Sequence, residues 1–104
     1  MLEQRKSHRF ELRLPLELLR NGSQTILEVG ETRNVSSAGV LFHSGAHLDP
    51  GDVIEFAITL PTSTQTVDVR LKCKGKIVRR AAEEETAATV ERWEFVRDRS
   101  LKSA

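Results

Sequence analysis

Two arginines separated by three residues, Arg5 and Arg9, and a polar cluster of Asn34, Ser36, Ser37 and Gly39 are the residues of this 104-residue chain whose types and spacing suit ligand chemistry. A guanidinium is a planar fork of donors that fits a phosphate bidentately and fits the O6/N7 edge of guanine as well. Lys6 adds charge beside them without the fork, and Gln4 adds an amide. In the second cluster Asn34 offers an amide to a base edge, and Ser36 and Ser37 offer hydroxyls to local backbone or to a ligand. Gly39 lets the chain turn and come close to a flat ring. Taken singly, the first segment is also a solvated basic tail and the second an Asx turn. Together in one small domain they suit a two-part clamp for a flat, compact, anionic guanine nucleotide.

Such a clamp needs strands to hold it. Phe10, Leu12, Leu14, Leu16 and Leu18 alternate with Glu11, Arg13, Pro15 and Glu17, which predicts one strand with a dry side, closed by the turn signal Asn21-Gly22. Leu27 and Val29 continue the theme on a second strand before Gly30, and Val40-Leu41-Phe42 predicts a third after the Asn34 to Gly39 turn. Asp49-Pro50-Gly51-Asp52 is turn chemistry, and it leads into the alternating Ile54, Phe56, Ile58 and Leu60. Past Pro61-Thr62-Ser63-Thr64, Val67, Val69, Leu71 and Cys73 face one way and Asp68, Arg70, Lys72 and Lys74 the other, on a strand running to Arg79. Glu83-Glu84-Glu85 reads as an acidic turn, and Trp93 and Phe95 anchor a last strand. The expectation is an all-β domain, a six-stranded antiparallel barrel whose closure removes exposed sheet edges, with at most a short C-terminal helix.

Size supports one domain: an arm over 1–9, a barrel over 10–97 and a tail over 98–104. A formal net charge of +1 excludes a globally basic nucleic-acid binder. Cys73, the one cysteine, cannot make an internal disulfide and is expected as a buried thiol in a reducing compartment. No apolar run is long enough to cross a bilayer and no signal-peptide h-region is present, so the protein is expected to be soluble and cytoplasmic, without membrane insertion. His43 and His47 would make a metal pair only on a helix, which Ser44-Gly45 and Asp49-Pro50 oppose. With no convergent carboxylates and no nucleophile elbow, the residues point to no metal site, no catalytic residue and no enzyme.

On Arg5 and Arg9, then Asn34, Ser36 and Gly39, the chain resembles the PilZ domain family, bacterial receptors for cyclic di-GMP. The resemblance extends from Arg5 to about Phe95, taking in Pro50-Gly51-Asp52 and the stretch Lys74-Gly75-Lys76-Ile77-Val78-Arg79. It implies a six-stranded barrel holding the ligand on its outer surface under the N-terminal arm. It also implies that Arg5 and Arg9 bind guanine and phosphate while Asn34, Ser36 and Gly39 form the opposing wall, with Gln4, Lys6 and Ser37 as further contacts. Cyclic di-GMP is then a ligand, not a cofactor, and the output is a downstream second-messenger signal to an unidentified protein. Asn34 stands where the family more often has aspartate, and the C-terminal helix that caps the family's barrel is nearly absent. That leaves one barrel end open, to be covered by large side chains such as Trp93, by a partner, or by a second copy in a homo-oligomer.

Two other readings compete. One is a PilZ-like adaptor that binds protein without nucleotide. The other is a small β-barrel binding single-stranded nucleic acid along Arg70, Lys72, Lys74 and Lys76, which would call for exposed aromatic platforms; the aromatics here are expected mostly on core faces.

Overall fold

Alternating apolar and polar residues do build strands: the computed structural model, which describes residues 10–61, 67–82 and 84–99, has eight of them and no helix among those residues. In chain order they are β1 (Phe10–Glu11), β2 (Pro15–Asn21), β3 (Gln24–Val35), β4 (Gly39–Ser44), β5 (Val53–Leu60), β6 (Val67–Ala82), β7 (Glu85–Thr89) and β8 (Arg92–Arg99). Six of these close a ring in the order β3-β2-β5-β6-β7-β4 and back to β3, every pairing antiparallel. The ring consists of two three-stranded meanders, β2-β3-β4 and β5-β6-β7, joined by two seams. At the first seam Leu16 pairs with Ile58; at the second Gly39 pairs with Thr89. The expected all-β, six-stranded antiparallel barrel is therefore the fold.

Turn chemistry sets the hairpins. Gly22 closes β2 onto β3 with φ +64°, and Gly51, before β5, has φ +93°, both in the left-handed region that glycine enters without a Cβ clash. The interior is filled by Leu16 and Leu18 from β2, Val40 and Phe42 from β4, Ile54, Phe56 and Ile58 from β5, and Cys73 and Ile77 from β6, with Leu48 as a plug from the loop. Phe42 and Phe56 are fully buried and stack with centroids 6.2 Å apart, the largest single block of this core.

Four local expectations are corrected. The N-terminal alternation is interrupted: β1 pairs with β3, and the chain at 12–14 leaves the ladder because the Thr32 hydroxyl inserts there, donating to the Leu12 carbonyl and accepting from the Leu14 amide. Leu27 and Val29 are 62% and 73% exposed, because the inward positions of β3 belong to Gly30 and the buried Thr32. A Cβ at residue 30 would collide with the His43 carbonyl, so only glycine lets β3 and β4 approach so closely. The ring's sixth strand is β7, which begins at Glu85 inside the expected acidic turn. The Trp93 strand, β8, lies off the ring and pairs with β6, so Trp93 and Phe95, although they share the face of Cys73 and Leu71, stand beyond the packed interior and are 55% and 62% exposed. The helix allowed after Arg97 is not seen in the described residues, since β8 runs to Arg99; residues 100–104 lie outside them.

Candidate functional site

Two β-bulges turn side chains from the barrel interior to its outside. On β3, Thr32 pairs with Phe42 and Asn34 with Leu41, so Arg33 is an extra residue, and Asn34 shares the outward face of Leu41 where unbroken alternation would point it inward. On β6, Ile77 pairs with Ala88 and Arg79 with Ala87, which makes Val78 the extra residue and turns Arg79 outward in the same way. Because Leu41 pairs with Ala87 across the second seam, Asn34, Leu41, Ala87 and Arg79 form one straight row over four strands. Three interstrand spacings separate its ends, about 14 Å.

A turn builds the wall beside that row. The Ser36 hydroxyl accepts from the amides of Ala38 and Gly39 at 3.2 and 3.1 Å, and the Ser36 amide donates to the Gly39 carbonyl at 2.9 Å. The Val90 amide ties the turn to the end of β7 by donating to the Ala38 carbonyl at 3.0 Å. Gly39 is required by proximity: a Cβ there would sit 2.9 Å from the Ala88 carbonyl oxygen, and its φ is not in the left-handed region. Ser37 is exposed at the tip.

Wall and row enclose an open cleft of about 340 Å³. Asn34, Ser36 and Gly39 line one side, Leu41 and Ala87 the floor, and Val78 and Arg79 the far side. Among the described residues no carboxylate lines it, although Glu11 pairs with Asn34 at its rim. A larger hollow, about 530 Å³, lies beside β8 and is bordered by Glu55, Glu91 and Glu94 as well as by Lys72, Lys74 and Arg92. Its three acids offset its three bases and leave no net positive charge for an anion, whereas the smaller cleft carries Arg79 and the Asn34 to Gly39 turn, which makes it the candidate site.

Of the residues singled out by sequence, the fold brings Asn34, Ser36 and Gly39 together around this cleft. Arg5, Arg9, Gln4 and Lys6 lie outside the described residues. The chain nevertheless enters the barrel at the cleft, since Phe10 pairs with Val35 and Glu11 with Asn34. Arg79, Leu41 and Ala87 were missed as site residues. Their pattern within the strands gave no sign of the bulges that turn Asn34 and Arg79 onto one row.

Elsewhere the chemistry is quiet. His43 Nε2 pairs with Glu84 at 3.1 Å and His47 Nε2 with Asp49 at 3.3 Å, and the described residues hold no cluster of three metal-ligating side chains. Burial pushes the Cys73 thiol up to about 11, which keeps it protonated and unreactive. No helix among the described residues is long and apolar enough to cross a membrane.

Comparison with known proteins gives a match of the PilZ domain family model to residues 3–101. No relative is found among curated proteins.

Proposed function

The chain belongs to the PilZ domain family, and from that premise we propose that it is a cytoplasmic receptor for cyclic di-GMP that signals to a protein partner and carries out no catalysis. The observation that carries this reading is the pairing of β1 with β3 at Val35 and Asn34, which joins the arm bearing Arg5 and Arg9 to the rim of the Asn34 to Gly39 wall. Arg5 precedes Phe10 by five residues, a reach of up to about 18 Å, enough to arch over the cleft. In this reading the two guanidiniums grip the phosphates and a guanine from one side while Asn34, Ser36 and Gly39 bound the other. Gln4, Lys6 and Ser37 stand at the margins, where Gln4 helps set whether one nucleotide or a stacked pair is taken up.

A ligand with two phosphates neutralises Arg5 and Arg9 and bridges the arm to the barrel. Ordering of the arm then creates a surface, made of arm and nucleotide together, that only a partner of the bound state recognises. Calorimetric titration with cyclic di-GMP tests the receptor: saturable binding at micromolar or lower concentration is expected, with GTP competing poorly. No heat at millimolar ligand would leave the nucleotide-free adaptor. Amide hydrogen exchange tests the ordering. Protection of Lys6 to Phe10 should rise with ligand, and protection equally high without it would mean a preformed site.

The nucleic-acid reading is weakened by the faces of the β6-β8 ribbon. Trp93 and Phe95 pair with Cys73 and Leu71, whereas Lys72 and Lys74 pair with Glu94 and Arg92 on the opposite face. The stacking surface and the phosphate track therefore point apart.

A further inference from the structure

The row across the cleft has a hydrogen-bonding group at each end and an apolar middle. Asn34 presents an amide at one end and Arg79 a guanidinium at the other, with only Leu41 and Ala87 between them. Val78, half exposed, stands next to Arg79, and among the described residues no carboxylate pairs with that guanidinium. An apolar floor of two small-to-medium side chains suits the face of a planar ring better than a phosphate, whose oxygens would lose water there without gaining partners. The polar edges of that ring must then meet the two ends of the row.

We propose that Arg79 makes this cleft selective for guanine: one base of the nucleotide lies flat on Leu41 and Ala87, Arg79 donates to its O6 and N7, and Asn34 accepts from its N1–H and N2–H edge. The proposal rests on the reading of the protein as a cyclic di-GMP receptor and adds a residue and a base-reading role to it. The hydrogen-bond patterns agree. A guanidinium has donors only, and guanine offers two adjacent acceptors at O6 and N7. Adenine turns an amino donor toward the same fork and lacks the N1–H that Asn34 Oδ1 accepts, so both ends of the row reject it. A span of about 14 Å between the outer strands accommodates a purine ring flanked by an amide and an extended arginine. The bulge at Val78 is the local device that makes this possible, because without it Arg79 would face the interior.

The test is titration of the whole chain, unchanged and as Arg79→Gln and Arg79→Lys, with cyclic di-GMP and with its 7-deazaguanine analogue, which lacks the N7 acceptor. Melting temperature controls for folding, and little change is expected because Arg79 is exposed. The unchanged protein should bind the analogue at least tenfold more weakly than cyclic di-GMP. Arg79→Gln should lose at least tenfold on cyclic di-GMP and narrow the gap between the two ligands, and Arg79→Lys, whose ammonium also donates to O6 and N7, should recover part of both. Arg79→Gln binding as tightly as the unchanged protein would overturn the proposal, as would an Arg79→Gln variant that discriminates the analogue as strongly as the unchanged protein does. An unchanged protein that binds no cyclic di-GMP at all would instead bring down the receptor reading and this inference with it.

Discussion

Ser36 and Gly39 hold each other across the cleft wall, amide to carbonyl at 2.9 Å in one direction and amide to hydroxyl at 3.1 Å in the other. Ser36 is thus a builder of the turn as well as a candidate ligand contact. Ser36→Ala leaves the Ala38 and Gly39 amides without their acceptor, a loss of about 1 kcal/mol, or about 4–8 °C in melting temperature for a domain of this size. Affinity for cyclic di-GMP should fall with it. Calorimetry showing weaker binding at an unchanged melting temperature would assign the hydroxyl to the ligand alone.

Gly75 has no room for a side chain. A Cβ there would collide with the Thr89 carbonyl, and the obstacle is backbone, which cannot rotate aside. Gly75→Ala should cost about 3 kcal/mol in denaturant midpoint measurements, at the upper end of overpacking effects. Gly39→Ala, whose Cβ would sit 2.9 Å from the Ala88 carbonyl oxygen, should cost less. Equal stability of the Gly75 variant and the unchanged protein would show that β6 and β7 separate easily at this point.

Asn34 is half-buried at the cleft edge, and a carboxylate in its place accepts two donors at once. Asn34→Asp is expected to keep or strengthen cyclic di-GMP binding, whereas Asn34→Ala should weaken it about tenfold, the worth of one to two hydrogen bonds. A large loss in the aspartate variant, measured by titration, would remove Asn34 from the guanine edge.

Acid should loosen the turn before β5. The Asp52 carboxylate accepts from the Asp49 amide at 2.9 Å and from Asn21 Nδ2 at 3.0 Å, and the first of these, helped by the second, holds its carboxyl below the ordinary carboxylate value. A depressed folded value stabilises the fold above the unfolded group's titration and loses that contribution as pH falls through the folded one. Thermal melts at neutral pH and at a pH well below the ordinary carboxylate range should therefore show a gap between Asp52→Asn and the unchanged protein that closes at the acid end. A constant gap at both pH values would mean that the carboxylate's charge adds nothing there.

Much of the barrel is legible in the chain because its inward residues are large. Ile54, Phe56 and Ile58 on β5 and Leu16 and Leu18 on β2 show a clean period of two, and Asn21-Gly22 and Pro50-Gly51 mark real turns. β7 escapes notice since its buried residues are Thr86 and Ala88, small enough to lie against Phe42 and Ile77 but invisible to a search for apolar alternation. Trp93 and Phe95 mislead for the opposite reason, being large and apolar but uncovered, on a strand that lies off the ring. Of the cleft, Asn34, Ser36 and Gly39 were readable from their types and spacing. Arg79 was not, because a bulge is one extra residue in a register that only the partner strand defines.

Both hairpin meanders can form from neighbours in sequence, but the β2-β5 and β4-β7 seams unite residues far apart in the chain, such as Gly39 and Thr89. Pairings of that kind close late and slowly in folding, since loop entropy is spent before they form. The Asn34 to Arg79 row crosses the second seam, so no half-folded intermediate has a complete cleft. A bound nucleotide would act as a clasp on the last-closing joint, and its kinetic signature is a slower unfolding rate with the folding rate nearly untouched.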